Sequence, residues 1–303
     1  MRRRQTAPLS PNALGALWML GSGVGFTVMA VCIKALAAKG YSESLMIFFR
    51  CAAGLVAMAP FLVMSGRQAW AVKRPGTVLL RSVYGTVGFF AGFYALSHLP
   101  LAEAQALSFS RTLFMVVLAI WLLKEKVAWR RWLAVGAGFA GIVIMTRPWA
   151  VALDLGATLA ILSAFAFALA IITVKDLTRD HSTITLVLYA NVITTIAGLP
   201  FAFFGWTTPT LPDLGLLMLL GASGIAAQGC YVRALSTGEA SLMGIVDYVR
   251  LPMAALAGFL VFAEIPDRWA VIGAAVVIGA TLYITLREIQ LGKPRVHDGA
   301  GEG

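Results

Sequence analysis

Apolar residues do not alternate along this chain. They come in long runs, apolar on every face and separated by short charged stretches. A helix needs about 20 such residues to cross the hydrocarbon core of a bilayer. By that measure the sequence predicts ten spans, at 13–36, 44–64, 77–99, 101–123, 131–146, 153–174, 183–206, 214–235, 240–263 and 268–286. Membrane strands would alternate apolar and polar positions over about ten residues, and these runs do not. The expected fold class is an all-α integral membrane protein.

The pattern is written twice. Tyr94-Ala-Leu-Ser with Arg111 and Glu125 recurs as Arg233-Ala-Leu-Ser with Arg250 and Glu264, at one spacing. Gly15 falls on Gly156, Lys34 on Lys175 and Arg50 on Asn191, with a drift that small loop deletions account for. The chain then divides into a cytoplasmic N-terminal segment at 1–12, a first repeat at 13–147, a second at 153–288 and a disordered cytoplasmic tail at 289–303. Each repeat holds five helices. Five is odd, so the halves cross the membrane in opposite senses, and such inverted repeats place a binding site near the midplane of secondary transporters.

Composition fits lipid as the solvent. The 303 residues are 59% hydrophobic and 13% charged, against about 25% charged in a soluble protein. The net charge of +10 sits in short stretches between apolar runs. It reads as topology rather than as a nucleic-acid surface, which would need a basic face with interleaved aromatics. Lys and Arg collect on the cytoplasmic side of membrane proteins. With the N-terminus inside, Arg2, Arg3, Arg4, Arg67, Lys73, Arg74, Arg81, Lys124, Lys126, Arg130 and Arg131 all fall inside, while Lys34, Lys39, Arg147 and Arg268 fall outside. An even helix number puts both termini in the cytoplasm. Cys32, Cys51 and Cys230 all lie in apolar runs and form no disulfide framework. Scarce histidine and scattered cysteine argue against an enzyme, and the sequence offers neither a metal set nor a cofactor motif. Gly136-Ala-Gly138-Phe-Ala-Gly141 matches a dinucleotide fingerprint in form only, since no strand precedes it. Small residues at that spacing allow close helix contact, and Gly273 and Gly279 suggest that the fifth and tenth spans pack together.

An ionisable group at membrane depth is costly and functional by default. Arg50, Arg111, Arg250, Glu103 and Asp247 qualify. Asp247 and Arg250 share a helix face, as Ser108 and Arg111 do in the first copy. The plain alternative is a closed set of salt bridges, Asp247 with Arg250 and Glu103 with Arg111. The functional reading is a polar cavity whose arginines meet a carboxylate, phosphate or π-system. Trp18, Tyr84, Phe93, Tyr94, Asn191, Gln228, Tyr231 and Tyr248 are candidates to line it. Glu103, Asp247 and His98 are candidates for carrying a coupling proton, with His98 read as a wet interfacial residue. Glu125 and Glu264 end their helices against the macrodipole, so they are expected to pair outward, with Lys126 or Arg268.

These residues resemble the drug/metabolite transporter superfamily, in its ten-helix EamA branch. The resemblance runs from about 13 to 288. It rests on Phe49-Arg50, Phe93-Tyr-Ala-Leu-Ser, Leu99-Pro-Leu-Ala-Glu-Ala, Leu123-Lys-Glu125, Arg131-Trp132, Asp247-Tyr-Val-Arg-Leu-Pro252, Phe262-Ala-Glu264 and Ile272-Gly-Ala-Ala. One departure is Thr112, where such proteins carry a proline that the second half keeps as Pro252, so the kink expected there should be absent. The resemblance implies a carrier of small organic solutes in the bacterial inner membrane. Its members move amino acids, cofactors such as S-adenosylmethionine or riboflavin, nucleotide sugars and drugs. Export of an amino-acid-like, anionic or zwitterionic metabolite is the first expectation, and uptake of a cofactor-like solute the second. A scaffold or receptor without transport is the contrasting class.

Overall fold

A computed structural model of the chain describes residues 11–65, 70–123, 129–146, 154–177, 180–181, 183–204, 206–237, 243 and 246–292. Among them the regular structure is entirely helical. The first half contributes α1 (Pro11–Ala38), α2 (Glu43–Ser65), α3 (Pro75–His98), α4 (Leu101–Ser108), α5 (Ser110–Leu123) and α6 (Trp129–Thr146). The second contributes α7 (Leu155–Leu177), α8 (Thr183–Phe204), α9 (Leu211–Thr237), α10 (Arg250–Phe262) and α11 (Arg268–Gly292). Helix α11 runs four residues past the boundary at 288, so the start of the expected tail is helical.

Among the described residues six helices, α1, α2, α3, α7, α8 and α9, are long and apolar enough to cross a membrane, and shorter apolar helices lie in α6, α10 and α11. Large apolar side chains cover the outside: Val63, Trp121 and Leu211 are each more than four-fifths exposed. Water would not tolerate so much contiguous apolar surface, and lipid favours it.

The halves interlock. Helix α1 packs on α9 and α3 on α7, while α2 packs on α8 and α6 on α11. Glycines permit the closest approaches. A Cβ on Gly25 would stand 2.9 Å from the Ala227 Cβ, and one on Gly141 would stand 2.9 Å from the Gly273 carbonyl oxygen. The latter is the pairing of fifth and tenth spans expected from their small residues.

The fourth span departs from expectation. It is not one helix with its kink lost. It breaks at Phe109 between α4 and α5, without a proline. Around the break, Phe109 N–H donates to Ala106 O (3.2 Å) and Thr112 N–H to Phe109 O (3.1 Å), both in three-residue steps. Serine hydroxyls serve neighbouring carbonyls, with Ser108 Oγ on Gln105 O (2.7 Å) and Ser110 Oγ on Leu107 O (2.6 Å). Hydroxyls of this kind re-satisfy backbone groups freed inside a membrane. Before α10 the same three-residue steps occur, Val249 to Val246 and Leu251 to Tyr248. There Pro252 contributes by lacking an N–H. The two breaks meet: the Phe109 and Tyr248 rings stack with centroids 4.6 Å apart and planes 17° apart.

Candidate functional site

Among the described residues, the ion pairs Lys34–Glu264, Lys39–Asp213 and Arg74–Asp180 join the halves, each with its cation on the first half and its anion on the second. Helix α3 ends at His98, its capping residue Leu99 held extended by the following Pro100, and α4 starts at once. Lys34 on α1 donates to the Leu99 carbonyl (2.6 Å) and pairs with Glu264. The Glu264 carboxylate also accepts the Leu101 N–H (2.8 Å), at the positive end of α4. The expected outward pairing of Glu264 with Arg268 is therefore replaced by Lys34. The cause is local: Ala263 is left-handed (φ 54°), which turns Glu264 back across the end of α10. Lys34, counted from sequence among the flanking charges, is mostly buried within α1 instead. Glu125, its helix-ending counterpart, lies outside the described residues.

At the same end of the bundle Lys39 pairs with Asp213, which also accepts from Tyr41 Oη (2.9 Å) and Thr210 Oγ1 (2.6 Å). At the opposite end Arg74 reaches Asp180 (3.8 Å). Next to it, His181 Nε2 accepts the Lys73 N–H (2.9 Å), just before α3. His181 Nδ1 lies 3.2 Å from the Leu177 carbonyl, which assigns the ring its neutral, Nδ1-protonated form.

Between these ends lie the buried arginines. Arg50, on α2, spreads its guanidinium over the Phe89 ring, 4.0 Å from the centroid. Phe89 in turn meets Phe93 and Phe167 edge-on. The Arg50 Nε is buried, with no hydrogen-bond partner among the described residues. Arg250, at the start of α10, lies 4.4 Å over Phe26. Its Nη1 donates to both carboxylate oxygens of Asp247 at 3.1 Å, and its Nε is likewise buried without a partner. The Asp247–Arg250 salt bridge considered from sequence is thus formed.

The remaining candidates divide by position. Arg111 is half-buried in the first turn of α5, directly after the break that stacks on Tyr248. Glu103 is half-buried on α4 and Ser108 turns inward on its own helix. Phe93 is buried in the core that α1, α2 and α3 share with α8 and α9. Asn191, on α8, donates from Nδ2 to its own Val187 carbonyl (3.0 Å) and points Oδ1 at Gly54 of α2. Tyr84 is half-buried on α3. Tyr231 packs with Met19 and Met243, and Gln228 is exposed on α9. His98 is half-exposed, stacked on Tyr94 at 3.9 Å. Trp18 lies 6.0 Å below the Arg233 guanidinium.

Sequence reasoning missed Lys34, Phe26 and Phe89. The signal for Lys34 was present in its match to Lys175. The two phenylalanines carried none, because an aromatic among apolar residues is unremarkable until an arginine lies on it.

The model of the EamA-like transporter family matches residues 13–147 and 154–286. An S-adenosylmethionine uptake transporter of Rickettsia bellii is 32% identical over 280 residues, covering 92% of this chain and 96% of that protein. A riboflavin transporter of Vibrio cholerae is 30% identical over 275 residues, covering 89% and 92%. A crystal structure 18% identical in sequence shares the fold, with a TM-score of 0.58 over 90% of this chain and 99% of that one.

Proposed function

The chain belongs to the EamA-like transporter family, within the drug/metabolite transporter superfamily, and on that premise we propose that it is a secondary carrier taking up a cofactor-like organic solute by alternating access. It is a multi-pass protein of the bacterial inner membrane. The observation that carries the reading is the pair of arginines in the apolar interior, each laid over a phenylalanine face with a buried, unpartnered Nε. A guanidinium so placed offers an anion or a flat π-system both charge and directed donors. The relatives favour uptake of a cofactor over export of an amino-acid-like metabolite, since one is named for uptake of S-adenosylmethionine and another for riboflavin.

Ten crossings in two inverted halves make the machine. The packing supports this, because exchanging the halves turns the contact of α1 with α9 into that of α3 with α7 and leaves α2 on α8 and α6 on α11 in place. The ion pairs support it too. Lys39 corresponds to Asp180 and Arg74 to Asp213, so the pairs at opposite ends are one contact with its charges reversed. In this scheme α4 with α5 forms the fourth crossing, and α10 completes the ninth. The repeats occupy 13–147 and 153–288. With both termini cytoplasmic, the Lys34–Glu264 pair closes the periplasmic end. Asp247 is held by Arg250 and has no proton-carrying role in this reading.

The test is uptake by cells. A riboflavin-requiring bacterium expressing the protein should grow on less external riboflavin, or its membrane vesicles should accumulate labelled S-adenosylmethionine. Vesicles and cells indistinguishable from those lacking the protein, across both solutes, would contradict the proposal.

A further inference from the structure

Helices α1 and α10 meet along a seam. Phe26, Ala30 and Lys34 recur every four residues, so they share one face of α1. Against them lie Arg250 over the Phe26 ring, Ala254 in one buried cluster with Ala30 and Leu101, and Phe262 with its ring centroid 5.6 Å from Lys34 Nζ. The seam runs from the Lys34–Glu264 pair at one end down to Arg250. We infer that Lys34 and Glu264 are a latch on this seam, and that its release is the step that opens Arg250 to solute from the periplasm.

The latch holds three elements at once. Lys34 donates to Leu99 O (2.6 Å) and Glu264 accepts the Leu101 N–H (2.8 Å), so the pair grips the chain on both sides of Pro100, where α3 gives way to α4. Its carboxylate sits in a formed seat. The Glu264 N–H donates to the Gly258 carbonyl and the Ala263 N–H to that of Phe259, both at 3.1 Å. A helix end of this kind, with its left-handed Ala263, turns Glu264 back over Gly258. A Cβ on Gly258 would stand 2.7 Å from Glu264 Oε2 but a comfortable 3.6 Å from the Leu101 Cβ. Glycine is therefore what lets the carboxylate lie where Lys34 and α4 meet it. The two side chains keep 16% and 15% of their surface exposed. Water at the periplasmic end can thus take over both charges when the pair parts, whereas a pair sealed at membrane depth would part only at a large cost.

The latch rests on the carrier reading above, and its test needs no solute. With Cys32, Cys51 and Cys230 replaced by serine, Ala30→Cys places one thiol in the seam, one turn below Lys34. A membrane-impermeant maleimide should label it slowly in right-side-out vesicles. Gly258→Ala or Lys34→Met should raise that rate at least about tenfold, the population shift that follows from losing one charge-assisted contact. Gly258→Ala displaces only the end of a flexible side chain, so the fold should tolerate it. Val78→Cys, at a position buried with Leu177 and Leu186 at the opposite end, is the control. Its labelling in inside-out vesicles should not rise with either variant, as it would if the protein were merely loosened. Unchanged labelling of Ala30→Cys, or an equal rise at both positions, would overturn the latch, while solute counterflow by the same protein would leave the carrier reading standing. Faster labelling at Ala30→Cys alone, in a protein that gives no counterflow, would support the latch and sink the carrier reading.

Discussion

Arg50 and Arg250 are the same residue type in the same apolar interior, yet the structure expects opposite consequences from removing them. Arg250 is paired. Its side chain and that of Asp247 are 13% and 8% exposed, and both carboxylate oxygens take the same Nη1 at 3.1 Å. Arg250→Met strands the Asp247 carboxylate. Breaking a buried pair from one side costs about 3–5 kcal/mol, and the residual exposure places this one near ~3 kcal/mol. Arg50→Met strands nothing. It forfeits the cation–π contact with Phe89, about 0.5–2 kcal/mol, and a weak interaction with the neighbouring Cys51 thiol, and relieves a desolvation penalty of several kcal/mol, so stability should hold or rise. Reversible unfolding in mixed micelles, followed by circular dichroism and tryptophan fluorescence, measures both. Adding Asp247→Asn to Arg250→Met should recover more than half of the loss, since no orphan charge then remains. The reasoning is refuted if Arg50→Met costs as much as Arg250→Met, or if the double variant is no more stable than the single one.

Further predictions use the same measurement. Ala263, the one described non-glycine residue with positive φ, should accept glycine with a gain of about 1 kcal/mol. Thr112→Pro removes only the N–H that reaches Phe109 at the existing break and should cost under ~1 kcal/mol, whereas Val117→Pro inside α5 should cost about 3 kcal/mol. Lys39→Asp should lower the folded yield by placing two carboxylates together, and adding Asp213→Lys should restore it. Lys39 is half-exposed, so the attraction itself contributes only about 0.2–1 kcal/mol and repulsion carries most of the effect.

How much of this was legible before the structure depends on the range of each interaction. The apolar runs announce the helices because crossing lipid leaves the backbone no other partner. Asp247 and Arg250 sit three residues apart, and their pairing is local enough to read. The break at Phe109 was hidden because the sequence marker for it is proline, and here Ser108 and Ser110 do the same work with hydroxyls. The partner of Glu264 was hidden for another reason. One left-handed alanine redirects it toward Lys34, 230 positions earlier in the chain, and no periodicity encodes such a turn. The glycines that let α8 and α9 pack closely beside Arg50 acquire meaning only once those helices lie against α2.

The central claim is that the protein is a carrier whose single site is exposed to each side in turn. Counterflow tests this most directly. Proteoliposomes are loaded with excess unlabelled S-adenosylmethionine, or riboflavin in a parallel set, and diluted into a trace of the same solute carrying label. A carrier predicts that label rises transiently above its external concentration and then decays, an overshoot that a receptor or an open pore does not produce. Label that never exceeds equilibrium with either solute, in vesicles shown to contain folded protein, would contradict the account.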